Sequence, residues 1–159
     1  MDFDTFCSLP DELKRSSGWL RFRDVGNKRI LLSFYDLSNS LTPCGGAMVM
    51  LRLSDKPLGK NEGLGFVLSH PFIVLVLTSC FEPESECVEG WASEIIGLLK
   101  SYAEVVEKNI HIWCKCEIAE QGKIVKAFSG LIEVLTTGFV PVSGKEVVGV
   151  PKSLVYWKG

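Results

Sequence analysis

Apolar positions recur along this chain with two periods, and the change from one to the other divides it into elements. Phe3, Phe6, Leu9 and Leu13 fall roughly on one stripe, which predicts a short helix over Asp4–Arg15, its regular part beginning near Pro10. Ser16, Ser17 and Gly18 end it. Trp19–Val25 and Arg29–Tyr35 flank Gly26 and Asn27 and predict a β-hairpin. A two-residue loop would set Arg21 opposite Leu32 and Arg23 opposite Ile30, mixing charges with apolar side chains. An odd loop of three or five residues pairs Leu20 with Phe34, Phe22 with Leu32 and Arg21 with Ser33. The expected register is the odd one, which separates an apolar face from a polar face carrying Arg21, Arg23 and Arg29.

A third strand is expected at Ala47–Leu53, and Asp55–Gly65 reads as a loop. Phe72–Leu77 is apolar at every position, the pattern of a central strand covered on both faces. Over Glu84–Lys108 the residues Trp91, Ile95, Leu98, Leu99, Tyr102, Val105 and Val106 recur at helical spacing. Ser85 caps the start, and Glu84, Glu86, Glu89 and Lys108 suit the two ends of the helix dipole. Ile110, Ile112, Cys114, Cys116 and Ile118 alternate with more polar residues and predict a half-buried strand with Trp113 and Lys115 facing outward. After a turn at Gly122, Lys123–Thr137 carries helical spacing up to Gly138, and short β-prone pieces follow at Val147–Val150 and Leu154–Trp157. The expected fold is α+β: an antiparallel four- to five-stranded meander packed by one long helix over residues 84–108. A short N-terminal helix and a second helix over residues 123–137 complete it.

At 159 residues and 47% hydrophobic, the chain can bury a full core without staples, so one globular domain over residues 1–159 is expected. No repeat or linker interrupts it. The first residues are acidic where an export signal would be basic, and the longest apolar run, Phe72–Leu77, is far short of the ~20 residues that span a bilayer. Six cysteines in such a chain point to reduced thiols in the cytoplasm or nucleus.

Known chemical signatures are sparse. His111, Cys114 and Cys116 lie close together, yet on a strand the histidine faces away from both cysteines and no CxxC pair completes a tetrahedral set, so neither metal nor cofactor is expected. Cys80 follows the buried strand and precedes a helix start, a place where thiolates form, although Glu82, Glu84 and Glu86 oppose one there. It is the candidate nucleophile of a small thiol-dependent enzyme.

Charge placement is more informative. Lys14, Arg15, Arg21, Arg23, Lys28 and Arg29 crowd into sixteen residues beside a single acid, Asp24, in a chain whose net charge is −2. Glu82, Glu84, Glu86, Glu89 and Glu94 form an acidic run without a base. The leading expectation is a non-catalytic protein-binding or assembly subunit that docks an acidic partner, another protein or a second copy, on Arg21, Arg23 and Arg29. Trp113 and Lys115 form a second candidate surface. Weak nucleic-acid binding by the same arginines beside Tyr35 is the third reading, disfavoured by a pI near 5.7.

Overall fold

The computed structural model describes residues 1–32, 34, 43–117 and 131–158. Tyr35, Ile118, the Gly122 turn and residues 123–130 of the expected second helix lie outside the described residues, as does the pairing of Arg21 with Ser33. In chain order the elements begin α1 (Phe3–Cys7), α2 (Asp11–Arg15), β1 (Ser17–Val25), β2 (Lys28–Leu32), β3 (Cys44–Gly45), α3 (Gly46–Asp55) and β4 (Glu62–Leu68). They continue with β5 (Phe72–Leu77), β6 (Phe81–Glu82), β7 (Cys87–Val88), α4 (Gly90–Leu99), β8 (Ala103–Val106) and β9 (Asn109–Lys115). The last are β10 (Ile132–Leu135), β11 (Gly138–Val142) and β12 (Val155–Tyr156). The chain is α+β, with two five-stranded sheets built largely from antiparallel pairs, among them β1 with β2 and β4 and β5 with β9 and β10, while β12 joins β9 in parallel. No helix among the described residues is long and apolar enough to cross a membrane. Two compact units form, Met1–Val67 with Phe139–Gly144 and Leu68–Gly138 with Lys145–Gly159.

In the first unit the strand order is β11-β4-β1-β2, with β3 joined to β1. Pro10 splits the N-terminal helix into α1 and α2, because its ring excludes the N–H that a continuous helix would need. One sheet face is closed around Trp19, which meets Phe6 at 5.1 Å and Phe66 at 5.3 Å, both edge-on. The indole N–H donates to the Leu13 carbonyl at 3.0 Å, so its one polar atom is satisfied inside the core. On the opposite face Phe22 and Phe139 lie over Gly63 and Gly65, where a Cβ would overlap their rings.

The expected strand at Ala47–Leu53 is instead helix α3. Its buried residues, Gly46, Val49 and Leu53, follow a three-and-four spacing that seats one stripe beside α1, α2 and β1 and leaves Leu51 outside.

The hairpin register also differs from expectation. The loop has two residues, Gly26 and Asn27, with Gly26 at φ +59° as a primed turn requires, and Arg21 lies opposite Leu32, Arg23 opposite Ile30 and Asp24 opposite Arg29. The feared mixture of charge and apolar surface is resolved by a third strand. β4 sets Glu62 opposite Arg23 and beside Arg21, so the two arginines share one carboxylate as a hydrogen-bond acceptor.

In the second unit the order is β10-β5-β9-β12, with β8 joined to β9. β5 is buried along its whole length between β10 and β9, as its unbroken apolar run implies. Ile73, Leu75, Leu77, Ile110, Ile112 and Cys114 build a core against Ala92 of α4, with Trp91, Ile95, Ile96 and Leu99 packed around it.

The long helix expected over 84–108 is shorter than its periodicity implied. Residues before Gly90 form the β6–β7 ribbon, and Lys100 ends α4 in the left-handed conformation at φ +50°. Tyr102 and Val105 then belong to a strand region, not to another helical turn, and Leu98 projects into solvent. Residues 132–135, expected as helix, are strand β10, paired with β5 from Ile132↔Leu77 to Leu135↔Val74.

Candidate functional site

The hairpin arginines do not share one exposed face. Arg21 and Arg23 project to one side, where Arg21 donates to Glu62 from both Nε and Nη2, and Arg23 Nη2 donates to Glu62 Oε1 at 2.9 Å. Burial acts to raise the Glu62 pKa. The bonds from Arg23, Arg21 and the Gly59 N–H outweigh it, together with the Arg21 charge, and hold the carboxyl at about 2. Arg29 projects to the other side, over the Phe22 ring at 4.2 Å, and donates to both carboxylate oxygens of Asp24, keeping that acid below its usual range. Since opposed residues in a sheet lie on the same face and neighbours alternate, the observed register separates Arg29 from the other two. That corrects the expectation of a three-arginine surface.

The second candidate surface is altered too. Trp113 is fully buried in β9, its main-chain carbonyl accepting from Ser101 Oγ at 2.5 Å and its main-chain N–H donating to the Tyr102 carbonyl at 2.9 Å. The alternation that suggested an outward tryptophan fails because β9 is covered on both faces. Lys115 lies at the strand end, with Nζ 4.4 Å from the centre of the exposed Tyr156 ring.

Nor is Cys80 placed as a nucleophile. It is buried, its Sγ–H donates to the Leu77 carbonyl at 3.3 Å, and burial pushes its pKa up, with the Glu89 charge adding to that direction. Cys114 is likewise raised, to about 11, by burial. His111 sits opposite Glu104 of β8 and Val76 of β5, with Nδ1 lacking a hydrogen-bond partner among the described residues, and burial lowers its pKa to about 4. Among the described residues no group of His, Cys, Asp and Glu has metal-binding geometry, and all six cysteines are free thiols.

A further concave surface lies elsewhere in the second unit. A groove of about 760 Å³ runs between the α4 residues Ser93, Ile96 and Gly97 and the segment Val147–Pro151, with Val88 and Lys100 also lining it. Both walls are fixed. α4 is anchored by Ala92 in the core, and the opposite segment is tied to β8 by the Val147 N–H donating to the Ala103 carbonyl at 2.9 Å and the Val105 N–H donating to the Lys145 carbonyl at 2.8 Å. Gly97 keeps the helix side open, since a Cβ there would meet nothing within 4 Å. Two large apolar side chains stand at this surface almost uncovered, Leu98 at 78% and Val148 at 98% exposure.

The charged residue among those lining the groove is Lys100. Glu86 pairs with Lys145 at 3.4 Å, and Glu89 accepts from the Trp91 indole at 2.8 Å. Glu82, Glu84 and Glu94 form no ion pair among the described residues. Glu94 stands on α4 one turn before Gly97 and Leu98. Sequence reasoning missed the groove because it assigned Leu98 to the buried stripe. The signal that could have found it was Gly97, a glycine inside a helical pattern, which leaves the space beside the helix unfilled at the entropic cost a helix interior places on glycine. No protein-family model matches this chain, and no curated protein matches it in sequence.

Proposed function

We propose that this protein is a non-catalytic binding or assembly subunit, and that its contact surface is the groove between α4 and Val147–Pro151. The observation that carries this reading is the apolar cleft opened at Gly97 and edged by the exposed Leu98 and Val148. Side chains of that size gain free energy by leaving water, and clustered exposure marks a surface that meets a partner. Glu94, on α4 one turn before Gly97, offers a counter-charge to a cation that the partner segment presents beside its apolar side chains, because opposed potentials speed encounter and fix orientation. The hairpin arginines have less to offer an acidic partner or a phosphate backbone, since Glu62 and Asp24 already take their hydrogen bonds. A thiol enzyme built on Cys80 would need a thiolate, which burial disfavours.

The test is calorimetric titration with a synthetic peptide alternating Val and Lys, with its Val–Glu counterpart as control. Binding of the first, at least about tenfold weaker binding of the second, and loss of binding in Gly97→Trp with unchanged unfolding support the proposal. Equal affinity for both peptides, or no binding of either to the wild type, overturns it.

A further inference from the structure

The first unit carries cations that the molecule leaves unengaged. Lys28 of β2 and Lys60, in the turn before β4, form no ion pair among the described residues, unlike the arginines held by Glu62 and Asp24. The strand pairing brings both lysines to one end of the sheet: Val25 lies opposite Lys28, and the Asp24 N–H donates to the carbonyl of Asn61, next in the chain to Lys60, at 2.8 Å. Three arginines and two lysines stand here with two acids, an excess of three positive charges. Apolar side chains stand among them. Opposed residues of a sheet share a face, so Arg23, Val25, Lys28 and Ile30 do. Val25 is 52% and Ile30 46% exposed, and each residue between them is exposed as well.

We infer that this hairpin tip docks on an anionic lipid surface, with Val25 and Ile30 entering the headgroup region and Lys28 and Lys60 set against lipid phosphates and carboxylates. The excess of positive charge selects an anionic partner, and the exposed aliphatic side chains select its kind. A bilayer interface presents anionic groups above a hydrocarbon layer, so one contact satisfies the cations and takes Val25 and Ile30 out of water. A nucleic-acid strand would answer the lysines alone, because neither aliphatic side chain offers a ring for a base to stack on. An acidic protein would have to supply a shaped apolar seat as well as carboxylates, which a fluid interface does not require. The contact is peripheral and crosses no bilayer. It lies in the first unit and does not depend on the groove reading above.

The experiment is vesicle flotation, with phosphatidylcholine alone and with an equal mixture of phosphatidylcholine and phosphatidylserine, at low and high salt. The wild type should bind the mixed vesicles only, and salt should weaken that binding. Lys28→Gln with Lys60→Gln should weaken it about thirtyfold, and Val25→Ser with Ile30→Ser about tenfold. A spin-labelled lipid in the mixed vesicles should broaden the wild-type amide signals of Gly26, Asn27 and Lys28 before any others. Urea unfolding identifies a variant that fails to fold, and the spin-label result, which needs no variant, then decides. Equal binding to both vesicles, no binding to the mixed ones at low salt, or broadening that spares the tip overturns the inference. So does a folded lysine or serine variant that binds the mixed vesicles as the wild type does. An RNA oligonucleotide or polyglutamate that binds as tightly as the mixed vesicles, and loses that binding in the lysine variant, also overturns it and leaves a general polyanion site.

Discussion

Replacing Glu62 by glutamine removes the one charge on which Arg21, Arg23 and the Gly59 N–H converge. The carboxyl is held at about 2 against an ordinary 4.5. At ~1.4 kcal/mol per pH unit, that gap corresponds to a contribution of about 3 kcal/mol in the folded state. Arg23 is half exposed and water screens its share, so the expected loss in Glu62→Gln at pH 7 is about 2 kcal/mol. Because the folded pKa lies below the unfolded one, the contribution is complete above about 4.5, shrinks as pH falls and disappears near 2. Urea unfolding of both proteins at pH 7 and in steps to pH 3 measures it, urea being chosen because it adds no salt. The two stability curves should converge with acid. A difference at pH 7 below ~0.5 kcal/mol, the range of an ordinary surface substitution, or one that does not change with pH, would refute the assignment of these arginines to a structural role.

Three further outcomes follow from local geometry. Gly97→Ala should stabilise by about 1 kcal/mol in thermal or urea unfolding, because the new Cβ meets no atom and a helix interior favours alanine; a loss of stability would mean the groove wall is closed. His111 takes its proton at about 4 when folded and near 6.5 when unfolded, so wild-type stability should fall as pH drops through that interval, and His111→Phe should flatten the fall. An unchanged slope in the variant would place the titration elsewhere. Timed iodoacetamide labelling read by mass spectrometry should modify the exposed Cys87 first and the buried Cys80, Cys114 and Cys116 only on unfolding; early modification of Cys80 would revive its candidacy as a nucleophile.

What the sequence disclosed depended on how far a local pattern determined burial. Phe72–Leu77 was legible as a central strand because six apolar residues in a row have no solvent side to offer, and β5 has none. The α+β class followed from the same logic. Glu84–Lys108 was misjudged in extent because Tyr102 and Val105 continue the helical phase of Trp91 and Ile95. No Gly or Pro marks the break, which falls at Lys100 in a left-handed conformation. Ala47–Leu53 was short enough for either period, and packing on α1 and α2 decided for helix. The hairpin register was beyond local reasoning, since the residue that makes charged positions tolerable, Glu62, enters from a strand about forty residues away in sequence. The candidate site was displaced for a related cause: charge density on the sequence measures cations, whereas a docking surface needs cations whose partners lie outside the molecule.

The central claim is that the groove at Gly97, and not the arginine hairpin, receives a partner's side chains. Backbone amide spectra of isotope-labelled protein titrated with the Val–Lys peptide test it most directly. The account predicts shifts concentrated at Ser93, Gly97, Lys100, Val148 and Gly149, with Arg21 and its neighbours on β1 unmoved. Shifts confined to Arg21, Arg23 and Arg29 would contradict it.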